Sequence, residues 1–313
     1  MMKMKNETHI EGYLYEHTLE RKQSGPNSKN PGTEFISGTV SIATDDECLN
    51  IVPVHYTYAT ATTSTGKPNA TFGALANIVD GVYKTVMGSN KDEAVKLRID
   101  SAIGLNEFYT DRNGKEELVS AKRNEGGFIH VVTDGLAKEN DRNTFKCDIL
   151  ITNVRHIDAD DERNLPEKAI VKGAIFDFRK SLMPVEFSVV HPNAIAYFEG
   201  LEASNTNPVL TEIRGRQVSE TIVKTIVEES AFGEASVREV KNSRKDWVIT
   251  WAKTEPYEWD DESTLTAMEV NEALKNRELA LAAMKARQDE YKASKGAGPA
   301  AKATVPANSA FNF

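Results

Sequence analysis

Three acidic triplets punctuate the chain: Asp45-Asp46-Glu47, Asp160-Asp161-Glu162 and Asp260-Asp261-Glu262. Clustered carboxylates can hold Mg²⁺ for phosphoryl transfer. Each triplet, however, sits in a predicted turn or at a helix start, where Asp is favoured for local reasons, and that plain reading outweighs a metal site. Other catalytic chemistry fails on spacing. Gly66-Lys67 is followed by Pro68 where a phosphate loop needs Ser or Thr, and the upstream glycine is missing. The six histidines form no HExxH, the two cysteines Cys48 and Cys147 are not paired for zinc, and there is no GxSxG. The chain is expected to be no enzyme and to need no metal or cofactor.

A second set of residues suits binding. Tyr13, Tyr15, Phe35 and Phe108 fall opposite the apolar positions of predicted strands, and Lys96, Arg98, Lys122 and Arg123 lie close to them in sequence. Aromatic rings beside cations suit a single-stranded nucleic acid: bases stack on the rings at about 1–3 kcal/mol each, and Lys and Arg neutralise phosphates. The competing reading, favoured by pattern alone, is that these rings fill a second core or pack under a helix. In the second half, Arg179-Lys180, Arg214, Arg216, Arg244 and Lys245 could extend a groove or be solvated residues paired with the abundant Asp and Glu. Trp247, Ile249 and Trp251 share a face by period and read as a core stripe.

The elements that must position these residues are mostly strands. Around the stretch 33–63, Ile36, Val40 and Ile42 alternate with Phe35, Thr39 and Ser41, and after the acidic turn Val52, Val54, Tyr56 and Tyr58 alternate with Ile51, His55 and Thr57. This is the period-2 pattern of a hairpin with one buried side. Before it lie a strand over 9–20 and a basic loop over 21–32; after it come a helix over 70–87 and strands over 96–109, 118–132 and 145–154. The charged run 158–168 marks the expected domain boundary. Beyond it the grammar restarts, with strands near 169–178, 183–190, 208–227, 237–240 and 247–252 and a Pro-started helix in HPNAIAYFEGL. Residues 263–294 carry no Gly or Pro and read as a helix of about 30 residues, roughly 45 Å long, capped by Ser263 or Thr264. The Ala/Gly/Pro-rich remainder, ending in Phe311 and Phe313, reads as a disordered tail and a partner motif.

Composition is that of a soluble globular chain: 313 residues, 40% hydrophobic and 27% charged, enough for two ordinary cores. No apolar run reaches the length of a membrane span, no secretory leader is visible, and two cysteines cannot make a disulfide framework, so a cytoplasmic protein without membrane contact is expected. A net charge of −9 argues against duplex binding through bulk positive charge. It leaves room for a local basic groove, because phosphate contacts act at short range.

The runs HIEGYLYEHTLE, GTEFISGTVSIATDDECLNIVPVHYTY and KLRIDSAIGLNEFY resemble the first strands of an OB-fold, and more particularly the OB-fold single-stranded DNA-binding proteins of tailed bacteriophages. The likeness is best over 9–155 and weaker over KAIVKGAIFDF to GRQVSET. It rests on strand order and glycine placement. The resemblance implies a non-catalytic protein that coats single strands in phage DNA replication or recombination, acting in the host cytoplasm. It favours Tyr13, Tyr15, Phe35 and His55 as strand-face contacts and Lys96 and Arg98 as phosphate contacts, with Lys122 and Arg123 beside them. It also implies recruitment of replication proteins by the C-terminal tail, although such tails are typically acidic and this one is not. The expected architecture is therefore mostly β with added α: an OB-fold-like barrel over 1–158, a second β-rich, OB-like domain over 159–260, a long helix over 261–294 and a disordered tail over 295–313, in a chain able to self-associate. The alternative is a phage structural or assembly protein working through the long helix.

Overall fold

The computed structural model describes residues 4–26, 28–112, 115–160, 166–177, 180–228 and 236–296, and for 220–228, 236–244 and 294–296 the backbone alone. The expected C-terminal tail with its two phenylalanines, and most of the Asp160 triplet, lie outside the described residues.

Two closed strand circuits make up most of the described residues. The first uses β1 (Asn6–His17), β3 (Glu34–Ala43), β4 (Ile51–Thr60), β5 (Lys96–Arg112) and β6 (Lys115–Val131). β1 pairs antiparallel with β3 and β5, β3 with β4, and β5 with β6; β4 and β6 close the ring in parallel. Helix α1 (Ala70–Val79) sits between the third and fourth strands of the circuit. The second circuit repeats this plan with β7 (Asn143–Ile157), β8 (Lys168–Phe176), β9 (Leu182–Val189), α2 (Pro192–Gly200), β10 (Val209–Glu228) and β11 (Ser236–Ala252). Its ladders are β7–β8, β8–β9, β10–β11 and β7–β10, closed by a parallel β9–β11 contact. Both circuits have the Greek-key order of an OB-fold barrel, so the expected fold class holds. A ladder between Asn6–Ile10 of β1 and Asn143–Cys147 of β7 joins them in one sheet.

The boundary expected at 158 falls in the β7–β8 connection. β7 precedes that point in sequence, yet its pairing makes it the opening strand of the second circuit.

Alternation explains each core. Ile36, Val40, Ile42, Val52, Val54 and Tyr56 point into the first barrel with Ile10, Leu14, Leu97 and Ile99. Leu75 and Ile78 of α1 are buried with them, and Asn69 caps that helix by accepting from the Thr71 N–H at 3.1 Å. α1 ends at Val79, earlier than the periodicity predicts, because Gly81 turns the chain with φ +74°. The second core gathers Phe145, Ile149, Val171, Phe187, Ile213 and Ile249, with Ile195 and Phe198 of α2. Gly12 is required where β1 crosses β3: a Cβ there would stand 1.9 Å from the Ala43 carbonyl oxygen.

Four local expectations are corrected. The loop after β1 contains a short strand, β2 (Glu20–Gln23), paired with β3. Tyr58 leaves the buried face, because β4 bulges between Tyr56 and Ala59, opposite the Ile36–Gly38 step of β3; Tyr56 is 4% exposed and Tyr58 51%. The Trp stripe splits: Ile249 is buried, Trp247 is partly buried, and Trp251 is exposed under the Arg214 guanidinium, 4.2 Å from its ring centre. An extra residue in β11 at Thr250, opposite the Arg214–Gly215 step of β10, accompanies this change. The cap of α3 (Ala267–Gly296) is neither Ser263 nor Thr264 but Thr266, whose hydroxyl accepts from the Glu269 N–H while the Glu269 carboxylate accepts from the Thr266 N–H.

The root of α3 packs on the second barrel: Leu265, just before it, and Val270 and Ala273 within it meet Leu150, Phe176, Leu182 and Leu210. Farther along, α3 runs beside the β5–β6 hairpin, which projects beyond its own barrel. Lys285 pairs with Glu116 at 2.7 Å and Gln288 donates to the Tyr109 carbonyl at 2.8 Å. Among the described residues no helix is long and apolar enough to cross a membrane.

Candidate nucleic-acid interface

The outer face of β3 and β4 carries an aromatic pair and a histidine. Phe35 and Tyr58 lie with ring centres 4.5 Å apart and planes tilted by 38°. Two pleats along, Thr39 faces His55, and the Thr39 hydroxyl and His55 Nδ1 are 3.0 Å apart. The pleat places Phe35, Thr39 and His55 outward, because their neighbours Ile36, Val40 and Val54 fill the barrel.

β6 runs parallel to β4 and extends this face. His55 pairs with Glu125, and Arg123 is held against Glu125 at 3.0 Å. Across from them stands the β10–β11 hairpin of the other barrel. The Ser219 N–H donates to Asn50 Oδ1 at 2.7 Å, and Asn50 Nδ2 donates to the Gln217 carbonyl at 3.2 Å, which fixes that hairpin beside β4. Between the two barrels a cavity of about 290 Å³ is lined by His55, Lys122, Arg123, Lys245 and Trp247, among others.

Charge in this groove is mainly positive. Burial holds the His55 pKa below its ordinary value; Arg123 and Lys245 push it the same way, while Glu125 opposes them. These influences together favour the neutral imidazole. Lys122 lies 4.3 Å from the centre of the Phe187 ring and 5.7 Å from that of Trp247. Burial pushes its pKa down to about 8, opposed by Asp246, Cys147 and Glu186. Aromatic faces stabilise an ammonium by cation–π attraction, and among the described residues no carboxylate forms an ion pair with it. Trp247 itself leans on Phe145, with centres 5.4 Å apart. The groove thus offers a poised cation, a half-buried indole and an imidazole, a combination that can meet a phosphate and a base together.

The fold sorts the expected contact residues into three places. Phe35 and His55 share the β3–β4 face, and His55, Lys122 and Arg123 line one groove. Tyr13, Tyr15, Lys96 and Arg98 lie on β1 and β5, outside that groove. There the Lys91 and Lys96 ammonium groups sit 4.9 and 5.7 Å from the centre of the Tyr13 ring. Tyr15 is partly buried, its carbonyl accepting from the Met87 N–H at 3.1 Å. Arg98 is paired with Asp100 at 3.2 Å.

Two residues of the groove region, Tyr58 and Trp247, escape the sequence pattern, whereas Lys245 is among the basic residues read as able to extend a groove. Tyr58 reads as core until the bulge is known, and Gly38 inside its partner strand is the available signal. Lys245 and Trp247 are two residues apart and hence on one strand face, which marks a cation beside a ring; nothing local says that this strand crosses to the first barrel.

Among the described residues no three His, Cys, Asp or Glu side chains form a group that could hold a metal ion. Two of the acidic triplets have structural partners instead. Asp45 accepts from the Leu49 and Asn50 N–H groups, Asp46 pairs with Arg142 at 2.7 Å, and Asp261 accepts from the Ser263 N–H at 2.7 Å.

A family model described as YorF matches residues 5–287. No curated protein matches the sequence. Among solved structures, a deletion mutant of the single-stranded DNA binding protein from Thermus aquaticus aligns with 84% of this chain and 100% of its own, at 8% identity and a TM-score of 0.46.

Proposed function

The chain belongs to the YorF family, and we propose that it binds single-stranded DNA without chemistry, using the outer face of β3–β4 and the groove that continues it between the barrels. One observation carries this reading: Lys122, Arg123 and Lys245 converge with Trp247 and His55 in a groove that continues the face bearing Phe35 and Tyr58. Rings that accept any base and cations that meet phosphates are what sequence-tolerant strand binding needs. The strand faces and long hairpins that bound the groove are also the parts of an OB-fold that contact oligonucleotides. The two circuits serve as two domains, divided between Val131 and Asn143.

In its finer form, the reading is of a protein that coats single strands during phage replication or recombination. Phe35, His55, Lys122 and Arg123 make the contacts, and the C-terminal segment recruits replication proteins. Tyr13, Tyr15, Lys96 and Arg98 then form a secondary track over β1 and β5.

Fluorescence anisotropy with labelled oligo(dT), titrated with salt and challenged with duplex, tests the central claim. Tight binding at low salt, a linear fall of log K with log salt and weak competition by duplex are expected. Absence of binding at low salt, or equal preference for duplex, overturns it.

A second reading rests on α3, where Met268 and Leu279 are 76% and 65% exposed. In it the helix assembles copies of the chain and the barrels are scaffolds. A helix-dependent oligomer by light scattering, with no affinity for oligonucleotides, would favour this assembly role.

A further inference from the structure

We propose that the outer face of β8 and β9 is a second single-strand site, and that one strand occupies both barrels by passing between Lys122 and Lys245. The inference rests on the reading of the first groove and extends it to a surface the sequence left unassigned.

β8 and β9 hold the same positions in the second circuit as β3 and β4 in the first. Over them lies a cavity of about 610 Å³. Its floor carries Lys168 and Lys172 of β8 and Ser188 of β9; Lys245 comes from β11 and Lys122 from the first barrel. Four lysines face two carboxylates. Asp246 is engaged by the Ser188 hydroxyl at 2.7 Å and by Lys168 at 3.6 Å. Glu186 meets Lys172 at 3.6 Å, with both side chains more than half exposed. Long, exposed pairs of that kind contribute little, so Lys172 can exchange its partner for a phosphate.

The walls are traded between the barrels. The β5–β6 hairpin of the first barrel carries Ser120 and Lys122 along the β8–β9 face, while the β10–β11 hairpin of the second stands beside β4. Lys122, Lys245 and Asp246 line both cavities. The two grooves therefore meet at shared side chains, and a polyanion entering one leaves into the other without crossing an acidic barrier wider than Asp246.

Oligo(dT) of about 8 to 24 nucleotides, spanning one and two site sizes, distinguishes the outcomes with the full chain. Wild type is expected to gain affinity with length and to bind the longest oligomers one per chain. Lys168→Ala/Lys172→Ala, with its fold checked by circular dichroism, is expected to keep one-site affinity for the shortest oligomers. It should lose at least tenfold for the longest, with a salt slope shallower by about 1.4. Unchanged long-oligomer binding in that variant, or two long oligomers bound independently per wild-type chain, overturns the inference while leaving the first groove standing. Failure of wild type to bind any oligomer overturns the functional reading and this inference with it.

Discussion

Asn124 of β6 and Gln217 of β10 exchange two amide hydrogen bonds, each 2.8 Å long, across the seam between the barrels. The two side chains are almost sealed from solvent, and Asn124 also donates to the Pro53 carbonyl at 3.0 Å. Truncation of either amide strands its partner. Asn124→Ala and Gln217→Ala are each expected to cost roughly 1–3 kcal/mol, the penalty for a buried polar group left unpaired. The double variant should cost less than the sum. Urea denaturation of the four chains measures the coupling; strict additivity would show that the amides do not act as a pair.

Lys122 should make binding depend on pH near 8. Its folded pKa of about 8 lies below the 10.5 of an ordinary lysine. Between those values the unfolded chain holds the proton more often than the folded one, so this group adds stability as pH rises through the window. Binding runs the opposite way, because a phosphate needs the charged ammonium. Oligo(dT) affinity is expected to fall about tenfold from pH 7 to pH 9, within the worth of one charge-assisted hydrogen bond. Lys122→Met should flatten both trends. A pH profile shared by wild type and variant would assign the titration elsewhere.

Tyr58 separates stacking from packing. The ring is half exposed and rests on Phe35, so Tyr58→Ala is expected to weaken oligo(dT) binding by about 1–3 kcal/mol and to leave Tm nearly unchanged. Tyr56→Ala, at a core position two residues earlier, should lower Tm sharply. Equal effects of the two on Tm would return Tyr58 to the core.

Arg277 ties α3 to the hairpin that bears Lys122. Its guanidinium pairs through both Nη atoms with Glu107 and also donates to the Leu182 carbonyl at 3.3 Å; the two charged side chains are 13% and 14% exposed. Arg277→Ala leaves Glu107 without that partner in a mostly buried site at the edge of a cavity and is expected to cost about 1–3 kcal/mol, the range for losing a hydrogen bond to a charged group. Thermal unfolding reports the loss. A change below the scatter for surface substitutions would show that the pair is solvated in solution.

Much of the barrel was legible because alternation is a local signal. Ile36, Val40, Ile42, Val52 and Val54 are separated from their outward neighbours by the pleat alone. Tyr58 was misplaced because β4 carries one extra residue between Tyr56 and Ala59, which changes its own parity, and parity is set by pairing. Lys122 and Arg123 were visible as a basic pair. That they meet Trp247, more than a hundred residues away, depends on a hairpin outgrowing its own barrel, and strand length beyond the barrel rim is not encoded in periodicity. Tyr13 and Lys96 show the converse. They were correctly read as an outward ring and an outward cation, and the fold brings them together at a different place from His55. The division at 158 followed a charged run, whereas the pairing of β7 follows its apolar face.

The exchange of hairpins between the barrels has a consequence for dosage. Two faces that complete each other are usually supplied by two subunits, and such a site disappears on dilution. Here both come from one polypeptide, joined by the β1–β7 ladder, so the composite groove persists in a solitary molecule. Occupancy should then follow free ligand alone, with the same half-saturating free-ligand concentration at nanomolar and micromolar protein.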